Sequence, residues 1–492
     1  MKTRSNNPIL MTDAYKHSHY LQYPPGTNYV YEYIEARAPH KLKHESMYLR
    51  GERKIAKVVC VGQRYLLTLL ESLRVTSEHV AQAKRIVSAA GEPFNEEGWT
   101  TLVERHGGRL LSAVKINVVK EGTIVDVGVP ILTIVNTDPD FFWLPGFLET
   151  LIQRCLWYPS TVASISNYCR EVIRSYMVET CDNLDKLPFM LHDFGARGVS
   201  SHESAELGGF AHLATGFMGT DTMEALIFAE EIYGSENAGF SIPAAEHSTI
   251  TSWGRENEAT AYRNMIKQFG SGLFAVVSDS YNIFNACVAI WGEELKAEVL
   301  AAPGTLVIRP DSGDPVETIL RCLAILEMQF GTTLNSKGYK VLNKVRLIQG
   351  DGVNPIGIEE ILWNMEKYRF SADNIAFGMG GGLLQKLDRD TFSFAMKCSA
   401  KTDDINGSNW DPVFKSPIGQ EDKKSKAGLV TTVFNEVETL VAFTGRKSLV
   451  ERLPEGTAGA MTNLENCVYQ NLEDIRQRVN LFRSLGQTNL GG

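Results

Sequence analysis

The sequence predicts an α/β fold: a (β/α) barrel joined to a second, β-rich domain built from both chain ends. Three observations carry this. First, "FMLHDFGARG", "FAVVSDSYN", "TLVIRPDSGDP", "VRLIQGDGVNP" and "NIAFGMGGG" are each an apolar run ending in Asp, Arg, Gly or Ser, and amphipathic segments such as "PVETILRCLAILEMQF" follow them. Strands alternating with helices imply parallel βα units. Second, the runs are apolar without interruption, as strands buried on both faces are. Third, polar residues gather where the strands end, which is where such folds bind ligands. "FSIPAAEHSTITSW" is a further apolar lead into a helix, making six units across residues 190–396. An open doubly wound sheet is the alternative. The barrel is preferred because six successive units carry no dinucleotide fingerprint: "GMGGG" is not G-x-G-x-x-G, and no GxxxxGK[ST] occurs.

The flanking elements follow in order. Residues 27–37, "TNYVYEYIEAR", read as a strand, residues 78–90 as a helix, and residues 110–139 as short antiparallel strands broken by glycine. From Phe142 the spacing turns helical, with one helix expected in "WLPGFLETLIQRCLWY" and a second in "STVASISNYCREVIRSYMVE". Beyond Lys397 a loop-rich polar stretch leads to "LVTTVFNEVETLVAF", whose alternation is that of strands. This tail is expected to join the N-terminal strands. The division is therefore residues 1–145 as the first part of the β-rich domain, 146–399 as the barrel, and 400–492 as the returning segment.

Composition narrows the function. The 492 residues, 43% hydrophobic and 22% charged, suit a soluble globular protein of two or three domains. The net charge of -9 argues against a nucleic-acid partner, so any anionic ligand must be held by a local cluster of cations and amides. Eight cysteines include no CxxC pair, and several sit in apolar runs, which points to reduced, mostly buried thiols in the cytoplasm. The N-terminus has no apolar core of a secretory signal, and no stretch approaches a spanning helix, so no membrane association is expected.

The segment "NIAFGMGGGLLQKLDRD", residues 374–390, opens apolar and closes amphipathic, and four of residues 378–382 are glycine. It is either a tight turn or a cradle in which bare N–H groups meet a phosphate at a helix start. The strand-end residues are Asp193, Phe194, Arg197, Asp221, Ser241, His247, Asp279, Arg309, Asp311, Asp351, Arg389 and Lys397. Carboxylates there suit sugar hydroxyls or a hard divalent ion, Mg²⁺ rather than zinc, and the cations suit phosphate oxygens. Together they suggest a phosphorylated sugar. Taken singly, each is equally a helix cap or a structural ion pair. His247 is either a hydrogen-bonded structural residue or an acid, base or nucleophile poised by a carboxylate.

In order along the chain, "TDAYKHSHYLQYPPGT", "HDFGARGVSS", "GTDT", "SIPAAEHSTITSWG", "VVSDSYNIFNAC", "IRPDSGDP", "QGDGV" and "IAFGMGGGLLQK" resemble the nicotinamide phosphoribosyltransferases, a family of type II phosphoribosyltransferases. The likeness runs from Met11 to Ser399 and weakens past Ala400. It implies a homodimer with shared active sites, in which nicotinamide and phosphoribosyl pyrophosphate give nicotinamide mononucleotide and pyrophosphate. It also implies Mg²⁺, and ATP as a co-substrate hydrolysed through a phosphorylated His247. By the same resemblance Phe194 and the partner subunit's Tyr15 sandwich the pyridine ring. Asp221 binds the carboxamide, with Ser241 beside it. Arg309, Asp311, Gly350 and Asp351 surround ribose and base, and Gly380 and Gly381 take the 5′-phosphate. Arg197 clusters at the pyrophosphate with Arg37, Arg389 and Lys397 of the partner subunit. His247, Asp279 and Asp311 are the expected catalytic residues, the two aspartates also the expected metal ligands.

Two positions depart from the family's pattern. Ala196 stands where relatives often carry Tyr, opening the pocket mouth, and Met379 where they often carry Ser, removing a hydroxyl from the phosphate loop. Three rivals remain. A nicotinate phosphoribosyltransferase would bind a charged base, which Asp221 would repel. A non-catalytic binding relative would not need His247, Asp279, Arg309 and Asp311 together. An unrelated sugar-phosphate lyase would need no aromatic clamp.

Overall fold

Six parallel strands occupy the centre of the chain. In sheet order they are Leu273–Val277, Thr305–Arg309, Val345–Gln349, Ile375–Met379, Leu191–Asp193 and Gly219–Thr220. Residues 240–244 close the ring: Phe240 bridges Gly219 on one side and Ala244 bridges Ala275 on the other, both in parallel sense. The computed structural model describes residues 6–44, 51–418, 424–435, 438–444 and 458–486. Side chains alternate across the ring as the pleat requires. Ala275 and Val307 pair in register, as do Ile348 and Ala376, and these four pack inside with Phe194 and Ile242. Val276, Ile308 and Leu347 join the outer core instead.

The loops that carry the strand-end residues are anchored by helix starts legible in the sequence. Asp314 caps the helix Pro315–Phe330, accepting from Glu317 N at 2.8 Å, and Asn354 caps Pro355–Lys367 in the same way. In both, proline holds the first helical position, where its missing N–H costs nothing.

The second domain is a six-stranded sheet in the order Asp411–Pro412, Phe394–Thr402, Tyr29–Ala36, Pro130–Asn136, Val114–Val119 and Met461–Asn463. The described pairings are antiparallel and draw on both chain ends. Among the described residues, the hairpin Leu429–Asn435 with Glu438–Thr444 accounts for the alternation read near 429–443. All eight cysteines are free thiols, seven of them buried and Cys398 half-buried. Among the described residues no helix is long and apolar enough to cross a membrane.

Four expectations are corrected. The two helices expected after Phe142 are divided elsewhere: a single turn, Leu144–Phe147, precedes one long helix, Glu149–Thr180, that runs through Pro159. An interior proline costs about 3 kcal/mol, but Leu151, Ile152, Cys155, Leu156, Val162 and Ile165 are all buried on this helix, at roughly 1.5–3 kcal/mol for each large apolar side chain. The amphipathic helix expected after the glycines is only Gly381–Leu384; burial of Leu383 and Leu384 ends it against the core, and the chain turns toward the β-rich sheet. Residues 394–399, placed with the barrel by the sequence, lie in the strand Phe394–Thr402 that pairs with Tyr29–Ala36. Finally, the tail does not stay with the sheet. Its helix Leu472–Gly486 returns to the barrel side, where Arg476 donates to the Leu213 and Ala238 carbonyls at 3.0 and 2.7 Å.

The β-rich domain buries a carboxyl group, that of Glu32, between strand and helix. Burial pushes it up to about 7, against the pull of Lys16. Over the window from about 4.5 to 7 the folded chain holds a proton that the unfolded chain has lost, so stability falls as pH rises through it. Glu32→Gln removes this dependence. Urea denaturation should show the loss between pH 5 and pH 8 shrinking by about 2 kcal/mol in the variant; an unchanged loss would contradict the assignment.

Candidate active site

At the carboxyl ends of the strands a buried carboxylate organises three loops. Asp279, its side chain 3% exposed, follows the strand Leu273–Val277. Its Oδ1 lies 3.0 Å from His247 Nε2, and its Oδ2 accepts from Asp311 N at 3.0 Å and Ser312 Oγ at 2.6 Å. His247 opens the short helix His247–Thr251, held there by a capping box between Glu246 and Thr249. With Nε2 donating to Asp279, the lone pair sits on Nδ1, which lies 3.9 Å from Asp311 Oδ2. Asp311 Oδ1 takes both Arg309 Nε and Nη2, at 3.0 and 2.6 Å. His247, Arg309, Asp311, Arg197 and Glu246 line a cleft of about 220 Å³.

An aromatic face and an acid stand beside this cleft. Asp193 and Thr220 are paired across neighbouring strands, so Phe194 and Asp221 each lie one residue past the ladder, and Asp221 N donates to the Asp193 carbonyl at 2.9 Å. The Arg309 guanidinium lies 5.6 Å from the centre of the Phe194 ring. Ser241, on the ring-closing segment, donates to Asp221 Oδ1 at 2.5 Å. Asp193 is fully buried; its Oδ1 accepts from Gly195 N at 2.7 Å, and burial pushes its carboxyl up to about 6.

Two glycines permit these positions. A Cβ on Gly378 would lie 2.0 Å from Cε2 of Phe194, so the ring lies across bare backbone. A Cβ on Gly350 would lie 2.9 Å from Arg309 Nε. Gly380 caps the helix Gly381–Leu384, whose first N–H groups have no carbonyl behind them, and space is open beside Gly381. Asp351 is exposed at the end of the neighbouring strand, its carbonyl accepting from Gln349 Nε2 at 2.8 Å. Arg197, on the turn Ala196–Gly198, faces the same cleft. The Met379 expectation is corrected: its side chain is fully buried and packs beneath Gly382, so the residue alters the core and not the loop surface.

Four of the expected residues lie elsewhere in the chain. Tyr15 is 56% exposed on the helix Ala14–Leu21, its ring meeting His19 edge-on at 5.0 Å. Among the described residues no ring contact joins it to Phe194. Arg37, Lys397 and Arg389 form a second group on and beside the β-rich sheet. Burial lowers the Lys397 ammonium, and the Arg37 and Arg389 charges lower it further. Sequence reasoning missed Lys426 in this group; it pairs with Glu35, and only the tertiary fold brings it there. It also missed the role of Ser312, although "RPDSGDP" displayed the residue.

The pair expected to bind a metal is largely committed. Both Asp279 oxygens and Asp311 Oδ1 accept protein hydrogen bonds. Among the described residues no group of three or more His, Cys, Asp or Glu side chains is placed to hold an ion. Asp279 therefore does not fit a ligand role. Asp311, through Oδ2, fits the single carboxylate by which Mg²⁺ joins a phosphate-bound substrate.

The profile of the nicotinate phosphoribosyltransferase family matches residues 189–446, and that of the nicotinamide phosphoribosyltransferase N-terminal domain matches residues 7–116. A nicotinamide phosphoribosyltransferase of Xanthomonas campestris is 48% identical over 87% of each chain. Another, of Acinetobacter baylyi, is 30% identical over 96% of this chain and 97% of its own. Among solved structures, a nicotinate-nucleotide pyrophosphorylase from Pyrococcus furiosus superposes with a TM-score of 0.60 at 15% identity, covering 99% of this chain and 98% of that one. Human nicotinic acid phosphoribosyltransferase gives 0.59 at 13%, covering 97% and 94%. At these identities the structural likeness is one of fold.

The Phe194 contact yields a direct test. Gly378→Ala should destabilise the protein by roughly 1–3 kcal/mol through overpacking, read by urea denaturation. In a Phe194→Ala background the same change should cost almost nothing. Equal losses in both backgrounds would mean that the ring does not lie over Gly378.

Proposed function

The chain belongs to the nicotinate phosphoribosyltransferase family of enzymes, and from that premise we propose that its base is nicotinamide and its product nicotinamide mononucleotide, formed in NAD salvage with release of pyrophosphate. The observation that carries this reading is the placement of Phe194 and Asp221 side by side past one strand pair, with Arg309 against the ring. A flat base lies on the Phe194 face by offset stacking. Its carboxamide N–H donates to Asp221, whose other contact, the Ser241 hydroxyl, steadies the carboxylate. A nicotinate carboxylate would meet Asp221 as a like charge. The relatives named for nicotinamide support the same choice.

The remaining residues divide the sugar and its phosphates. Arg309, Asp311, Gly350 and Asp351 border the ribose, and the amides at Gly380 and Gly381 receive its 5′-phosphate. As the bond from the anomeric carbon to pyrophosphate breaks and the bond to the pyridine nitrogen forms, positive charge develops on the ribose. Asp311 stabilises that charge, while Arg197 stabilises the leaving group. Arg37, Arg389 and Lys397, which do not line the chain's own cleft, act in a homodimer by reaching the partner's pyrophosphate, as Tyr15 reaches its base. Mg²⁺, carried on the pyrophosphate and touching Asp311, would neutralise charge on the leaving group.

ATP enters through His247. Asp279 holds the Nε2 proton, so the Nδ1 lone pair attacks the γ-phosphorus; the N–P bond forms, the P–O bond to ADP breaks, and hydrolysis of the phosphohistidine returns the imidazole. At 47% side-chain exposure the ring is open to a nucleotide. The eight free thiols accord with a cytoplasmic location.

Two variants test these assignments. Asp221→Asn should lower kcat/KM for nicotinamide by about tenfold or more while narrowing the preference over nicotinate; an unchanged ratio of the two bases would count against Asp221 as the selector. His247→Ala should abolish ATP hydrolysis and its stimulation of synthesis, leaving a weak ATP-independent activity. Stimulation that survives in His247→Ala, or an acid-labile phosphate found by mass spectrometry on another residue, would overturn the role of His247.

A further inference from the structure

The helix Ala14–Leu21 presents Tyr15 to solvent while burying the residues that follow it. Tyr15 is 56% exposed, whereas Lys16 and His17 are 5% and 6% exposed. Beneath them lie the short helix Leu144–Phe147 and the start of the long helix Glu149–Thr180. Thr12 Oγ1 donates to the Phe147 carbonyl at 3.0 Å, and Thr150 Oγ1 donates to Asp13 Oδ2 at 2.5 Å. Lys16 Nζ donates to the Gly146 carbonyl at 2.8 Å and pairs with Glu149 Oε2. His17 packs edge-on against Phe147, ring centres 5.2 Å apart.

A partly buried ion pair, with Lys16 at 4% and Glu149 at 23% side-chain exposure, is a poor device for stability alone. Desolvating the two charges offsets most of their attraction, and apolar residues of similar volume often hold a fold as well or better. What the pair supplies is direction. Lys16 is held at two acceptors, which fixes the rotation of its helix and therefore the angle at which the adjacent Tyr15 leaves the surface. An exposed aromatic ring on a pinned backbone loses little freedom when it closes on a ligand. The same Glu149 charge also faces the half-buried Lys397 ammonium, so one carboxylate serves two residues assigned to the neighbouring site.

We propose that Lys16 and Glu149 are positioning residues for the shared site, holding Tyr15 at the angle at which its ring covers the base bound in the partner's barrel. The proposal rests on the shared-site reading above. Lys16→Met should raise KM for nicotinamide by about tenfold or more, with kcat changed less than about twofold. Glu149→Gln, which keeps the side chain's shape, should do the same and carries the test if Lys16→Met fails to fold. An unchanged KM in a folded variant would overturn the proposal.

Heterodimers separate positioning from general damage. A Lys16→Met chain combined with an Asp311→Ala chain has one site made of an intact barrel and an intact Tyr15 helix. That site should show the wild-type KM. A raised KM there would place the effect of Lys16 in its own barrel and overturn the proposal. A Tyr15→Ala chain combined with Asp311→Ala should recover activity in parallel. Failure of that control would sink the shared-site reading itself, whereas its success alongside failure of the Lys16 pair would sink only the positioning role.

Discussion

Residues 240–245 bear the closure of the parallel ring, and they do it with four backbone hydrogen bonds. Phe240 N donates to Met218 O at 2.7 Å and Thr220 N to Phe240 O at 3.0 Å; Ala245 N donates to Ala275 O at 3.0 Å and Ala275 N to Pro243 O at 2.9 Å. Each is worth about 1 kcal/mol net, but leaving such groups buried and unpaired would cost about 1–3 kcal/mol apiece. The segment therefore cannot drift. Ser241 lies within it and His247 just beyond it, so the closure that completes the barrel also delivers the residue that steadies Asp221 and the imidazole that meets Asp279.

Asp279 then converts backbone position into side-chain geometry. One nearly buried carboxylate accepts from an imidazole, an amide and a hydroxyl drawn from two other loops. The amide comes from Asp311, whose own carboxylate grips Arg309, and Arg309 in turn lies against Phe194. A chain of contacts thus runs from the His247 ring through Asp279, Asp311 and Arg309 to the Phe194 ring. Through this continuity a charge change at His247 would reach Asp311, Arg309 and Phe194.

Much of this was legible in the sequence, for identifiable reasons. "LFAVV" and "TLVIR" are strands packed on both faces, so their apolar runs are unbroken, while "VRLIQ" is interrupted by Arg346; "DSGDP" and "DGVNP" contain the caps of the helices that follow. The strand Gly219–Thr220 has two residues and no periodicity to read. The closing segment contains Pro243 and polar neighbours, so its strand-like role is set by its partners alone. Pro159 read as a helix boundary because local propensity takes no account of six buried apolar side chains around it. Lys426 and the returning helix Leu472–Gly486 depend on contacts hundreds of residues apart, which no local pattern encodes.

Two polar groups stand in the chain, one at the barrel mouth and one on the β-rich sheet. The most direct test of the central claim is a competition: wild-type protein supplied with equal nicotinamide and nicotinate, phosphoribosyl pyrophosphate, Mg²⁺ and ATP, with products separated by chromatography and identified by mass. Phe194 with Asp221 predicts nicotinamide mononucleotide as the dominant product. Predominant nicotinate mononucleotide, or no mononucleotide from either base, would contradict the account.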